Sequence, residues 1–112
     1  MAAIDQLKAH FSAQSVRVIE VPEWGEANAP LLIYAKPLTL ADKQKLRRLA
    51  MEGGEMEVLA HTLIIKATDG EGQPLFTVAD KHDLMHKVDP DVLARVASQI
   101  TRPRSTDELQ KN

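Results

Sequence analysis

Apolar positions in this chain change their period several times, and each change marks an element. Ile4, Leu7 and Phe11 recur at intervals of three and four, with Asp5, Lys8 and His10 on the other side. That spacing predicts a short amphipathic helix over roughly 2–12. From Val16 to Val21 the chain is β-branched and nearly alternating, which predicts a strand ended by Pro22. Leu31 to Ala35 reads as a second strand between Pro30 and Pro37. Antiparallel pairing is the simplest use of two consecutive strands. The connection through Trp24, Gly25 and Asn28 is nevertheless longer than the about two to five residues usual in a hairpin. A lone two-stranded ribbon is marginal in water, so it must lie on helices or on another copy of itself. Its prolines also guard the edges against further pairing.

Helical periods dominate the remainder. Thr39-Leu-Ala-Asp42 has the spacing of a capping box and opens a helix through Leu40, Leu46, Leu49 and Ala50 to about Met51, stopped by Gly53-Gly54. Met56, Leu59, Leu63, Ile64 and Ala67 then fit one helical face. Residues 63–65 also suit a strand pairing across the Asp69-Gly70 turn with Leu75–Val78; length and period favour the helix. The stretch from Asp69 to Asp80 organises the chain. Gly70, Gly72 and Pro74 make a tight turn, Leu75 and Phe76 return two large apolar groups to the core, and Thr77 with Asp80 repeats the capping box. The next helix carries Val78, Leu84, Met85 and Val88. Asp89-Pro90 restarts a last one, with Val92, Leu93, Val96, Ala97 and Ile100 on one stripe.

The predicted fold class is α+β: a two-stranded antiparallel ribbon with about four to five helices in a single small domain, residues 1–101. Residues 102–112 are polar apart from Leu109 and read as a tail that is disordered alone and usable as a binding segment.

Composition narrows the class further. A chain of 112 residues with 44% hydrophobic and 27% charged residues is ordinary for one soluble domain. The net charge of -2 argues against a nucleic-acid binder, which shows a basic face. Without cysteine there is no disulfide, thiol chemistry or cysteine-type zinc site, in keeping with a reducing cytosol. The N-terminus lacks the pattern of a secretory signal, and no apolar run is long enough to span a bilayer.

Motifs with chemical potential are weak. His82-Asp-Leu-Met-His86 puts two histidines on one helix face, as zinc peptidases require. Asp83 is a short stand-in for the usual glutamate, and the third ligand is unassigned, with His61 or Asp89 the only nominees. A solvated face flanked by Lys81 and Lys87 is the simpler reading. Asp69–Asp80 has the length of a calcium loop, but Pro74 stands where the sharp turn needs glycine and Asp80 where a bidentate glutamate belongs. Gly70 and Gly72 form no phosphate cradle, since the lysine and the helix after it are missing from their places. His61, between Ala60 and Leu63, reads as a partly buried histidine. Lys43, Lys45, Arg47 and Arg48 make the most basic stretch, which reads as a solvated helix face rather than a phosphate site. Trp24 is either an interface anchor or a lid folded over the strands.

Three segments together resemble a known family. Val21-Pro-Glu-Trp-Gly25 precedes the second strand, Lys36-Pro-Leu-Thr-Leu-Ala-Asp42 opens a helix, and Asp69-Gly-Glu-Gly-Gln-Pro-Leu-Phe-Thr77 precedes the terminal helical pair. Over roughly residues 14–101 the layout is similar to that of the small tail assembly chaperones of long-tailed bacteriophages and prophages. The resemblance implies a non-enzymatic protein without catalytic residues, cofactor or metal. It implies binding of the long, helical, aggregation-prone tape measure protein and recruitment of tail tube subunits around it. It places the chain in the host bacterial cytoplasm and outside the mature virion, and in many members a ribosomal frameshift adds a longer form. Burial completed by another chain suits a homo-oligomer, with no nucleic acid and no membrane involved. The ribbon residues Trp24, Leu31, Ile33 and Tyr34 are the expected partner-binding set. The rivals are another phage morphogenesis protein or adaptor, such as a head–tail joining factor, and a metal-dependent hydrolase using His82 and His86.

Overall fold

The computed structural model describes residues 2–103. They form an α+β domain of five α-helices and one two-stranded antiparallel sheet. The order is α1 (Ala3–Ala13), β1 (Arg17–Glu26), β2 (Ala29–Ala35), α2 (Leu40–Gly53), α3 (Glu55–Lys66), a 3-10 turn (Val78–Asp80), α4 (Lys81–His86) and α5 (Pro90–Thr101). Residues 104–112, most of the expected tail, lie outside the described residues.

The hairpin is longer and tighter than the sequence pattern predicts. β1 continues through Pro22 and Trp24, and β2 starts before Pro30, so only Ala27 and Asn28 remain as a loop. Both have positive φ, 49° and 68°, as the tight type I′ hairpin turn requires. Pro22 survives inside a strand because the ladder is irregular there. Val21 pairs with Leu31 and Glu26 with Ala29, so residues 22–25 face Pro30 alone. In such a bulge a proline removes no ladder hydrogen bond. Gly25 sits where the strands close most tightly: a Cβ there would lie 1.9 Å from the Ala29 carbonyl oxygen.

Alternation sorts the ribbon into two faces. Ile19, Val21, Ile33 and Ala35 turn inward and are buried, while Val18, Glu20 and Leu32 turn outward. The inward face meets Ala60, Leu63 and Ala67 of the α3 region, Leu84 of α4 and the α5 stripe, forming one core. All five apolar residues expected on that stripe are buried.

Local signals set the helix ends. Thr39 and Asp42 form the expected box: the Asp42 N–H donates to the Thr39 hydroxyl and the Thr39 N–H to the Asp42 carboxylate, each at 3.0 Å. Lys66 then ties the end of α3 to the same carboxylate at 3.0 Å. Burial pushes the Asp42 carboxyl up, but the Thr39 N–H and Lys66 outweigh it and hold the group below its ordinary range. Gly54, at φ 96°, breaks the chain between α2 and α3 in a conformation other residues resist. Asp89 accepts from the Asp91 N–H at 2.9 Å with Pro90 at the first helical position. The other end of α5 is closed from β1: the Arg17 guanidinium donates to the Gln99 carbonyl and, at 2.9 Å, to that of Arg102. A cation is well placed at those last carbonyls.

Residues 63–65 are helical, as length and period favour. The strand alternative leaves a trace just beyond them, where Thr68 bridges Tyr34 on one side and Pro74 on the other. Asp69 holds the turn between them, its Oδ1 accepting from the Glu71 and Gln73 N–H groups at 2.8 and 3.0 Å. Leu75 and Phe76 pack against the core from this turn, but only half-buried. Thr77 starts the next element by donating its N–H to Asp80 at 2.8 Å. That element is a 3-10 turn and six helical residues rather than one continuous helix. Val78 and Met85, expected on its apolar face, point to solvent, as do Leu40 of α2 and Met56 of α3.

Candidate partner-binding surfaces

Helix α1 stands off the domain. None of its residues is buried, and Ile4, Leu7 and Phe11 are 57, 63 and 37% exposed. No side chain caps its N-terminus at Ala2. Such an isolated three-turn helix gains little from its own hydrogen bonds in water, because most helical stability comes from packing an apolar face.

The ribbon residues divide unevenly. Ile33 is fully buried opposite Ile19, so it holds the core and cannot touch a partner while the domain stays folded. That corrects its assignment as a binding residue; its odd position in the register places it on the inward face. Leu31 and Trp24 are half-buried and pack against the core. Glu23, beside it, is clamped by Arg95 of α5 through two hydrogen bonds of 2.7 Å. The Arg95 guanidinium, with the Glu23 N–H adding to it, draws the exposed carboxyl down to about 2. Tyr34 is half-buried, and its ring lies over Gly70. The outward apolar residues absent from the expected set are Val18 and Leu32, 51 and 38% exposed. Strand alternation alone is the signal that finds them.

A second surface lies on the helical layer. Lys43, Leu46, Arg47 and Ala50 of α2 face Val58, Leu59 and Thr62 of α3 and Ala97, Ser98 and Thr101 of α5 across an open groove, with Leu38 at one end. Two of its three hydroxyls, those of Thr62 and Thr101, are turned back onto their own helices. Thr62 donates to the Val58 carbonyl at 2.8 Å and Thr101 to the Ala97 carbonyl at 3.1 Å. Leu46, Ala50, Val58, Leu59 and Ala97 make the rest of the lining mostly apolar. Lys43 and Arg47, part of the basic stretch, form its exposed rim. No sequence signal announces this groove, because it is assembled from three helices far apart in the chain.

His82 and His86 do share a face, with rings stacked 4.3 Å apart. Both are exposed, and the His86 Nδ1 lies 2.9 Å from the His82 carbonyl oxygen, occupied by its own helix. Among the described residues no group of three or more His, Asp or Glu side chains is placed to hold a metal ion. His61 is half-buried beside the Glu57–Lys81 ion pair, and burial, then Lys81, pushes its imidazole below 6.5. Among the described residues no helix is long and apolar enough to cross a membrane.

Comparison with known proteins finds no counterpart: no protein-family model, no curated protein and no solved structure matches the chain.

Proposed function

We propose that this chain is a non-enzymatic tail assembly chaperone of a long-tailed phage or prophage. It holds the tape measure protein in the host bacterial cytoplasm, brings tail tube subunits to it, and is left behind when the virion is complete. The three-segment resemblance over roughly residues 14–101 is the source of this reading. The observation that favours a holding role is α1, an amphipathic helix with no buried residue, whose Ile4 and Leu7 are mostly exposed and whose Phe11 is still 37% exposed. Unpartnered apolar surface of this kind marks interaction sites. Val18 and Leu32 on the outer ribbon face add to it, and self-association is the simplest way to cover both. Co-expression with a tape measure protein from the same genome is the test: the chain should keep that protein soluble and co-purify with it.

A further inference from the structure

We propose that the groove between α2, α3 and α5 is a docking site for an acidic amphipathic helix of a partner protein. This rests on the chaperone reading, whose client is helical, and adds a second face that the client needs besides α1. The walls dictate the kind of occupant. All three are helices, so no strand edge offers backbone groups to an extended peptide, whose own N–H and C=O groups would lose water without replacement. A helix satisfies its backbone internally and needs only an apolar stripe. Lys43, Leu46, Arg47 and Ala50 stand at i, i+3, i+4 and i+7 along α2. That run is about 10 Å long at 1.5 Å per residue, the span of anchors at i, i+4 and i+7 on a facing helix.

Charge selects among helices. The groove lining contains two cations, Lys43 and Arg47, and no acid. Among the described residues neither cation forms an ion pair. Glutamates flanking the apolar stripe of an incoming helix would find both. The chain's own free helix is a poor match, since Lys8 and His10 accompany the α1 stripe against a single Asp5. A foreign acidic helix therefore fits better than α1 of a second copy.

The experiment is fluorescence anisotropy with a labelled three-turn synthetic helix carrying leucines at i, i+4 and i+7 and flanking glutamates. The same helix with lysines in their place, and a peptide of residues 2–14, serve as competitors. The full chain should bind the glutamate helix at least tenfold more tightly than the lysine helix at low salt. The exposed pair Lys43→Glu with Arg47→Glu, checked for an unchanged circular dichroism spectrum, should reverse that preference. Ala50→Gln, which lengthens a floor side chain without charge, should weaken both peptides. Equal binding of the two helices, a preference untouched by the charge reversal, or tighter binding of the 2–14 peptide would each overturn the proposal. If the charge-reversed chain still keeps the tape measure soluble, the groove assignment falls and the chaperone reading stands. If the parent shows the charge preference but fails to hold the tape measure, the reverse is true.

Discussion

Tyr34 gives both of its backbone groups to Thr68: the Tyr34 N–H donates to the Thr68 carbonyl at 2.9 Å, and the Tyr34 carbonyl accepts the Thr68 N–H at 3.1 Å. The Thr68 hydroxyl adds a third bond to that carbonyl at 2.6 Å. Thr68, two residues past α3, thus covers the outer edge of β2, leaving Val18 and Glu20 of β1 on the opposite edge. Thr68→Val keeps shape and deletes one bond, so it should cost about 0.5–1.5 kcal/mol. Urea unfolding should show a lower midpoint with unchanged slope; an unmoved midpoint would remove the hydroxyl from the account.

Ala27 occupies a left-handed position, φ 49°, that its Cβ disfavours. Ala27→Gly removes that strain, worth roughly 1–2 kcal/mol, against a greater entropy loss on folding. A net gain of about 0.5 kcal/mol in thermal stability is expected. A loss would mean that the turn is not the tight two-residue one described.

Acid should destabilise the domain through two carboxylates. Glu23 falls from 4.5 to about 2 and Asp42 lies below 3.8 in the folded chain. A depressed carboxyl stabilises the fold above its ordinary value and loses that contribution as pH falls through the folded value. The window therefore runs from about 4.5 down to about 2 for Glu23 and downward from 3.8 for Asp42. Glu23→Gln should flatten the upper part of the acid limb, chiefly at low salt, because both partners of its ion pair are 44% exposed and screened. An unaltered acid limb in this variant would count against the Arg95 clamp.

Half-burial limits what Phe76 contributes to the core. A fully buried phenylalanine costs about 3–5 kcal/mol when cut to alanine, so half of that, about 2 kcal/mol, is expected here. Leu63, with no exposed surface, should cost about 2–5 kcal/mol as Leu63→Ala. Denaturant titration of the two variants should rank Leu63 as the more severe. The opposite order would place the Asp69–Asp80 stretch deeper in the core than it lies.

Sequence legibility tracks the range of the signal. The Thr39–Asp42 box, the Asp89-Pro90 restart and the α5 stripe are written within a few residues each, and all three appear where the sequence places them. The hairpin's true length is hidden because Ala27 conceals its turn; an Asn-Gly pair would have displayed it. Pro22 and Pro30 look like stops because a bulge that accommodates both has no local signature. Ile33 is drawn into the expected binding set by its place in the ribbon, whereas its own face points to the core. The groove and the isolation of α1 depend on how distant helices pack, so no window of sequence carries them.

Sedimentation of a co-expressed tape measure protein tests the proposed holding function directly. A phage tape measure protein is expressed alone, with the parent, and with a chain beginning at Gln14, and each lysate is then sedimented. The tape measure should pellet alone, remain soluble with the parent and pellet again when the α1 stripe of Ile4, Leu7 and Phe11 is missing. A tape measure that pellets equally with and without the parent would contradict the account.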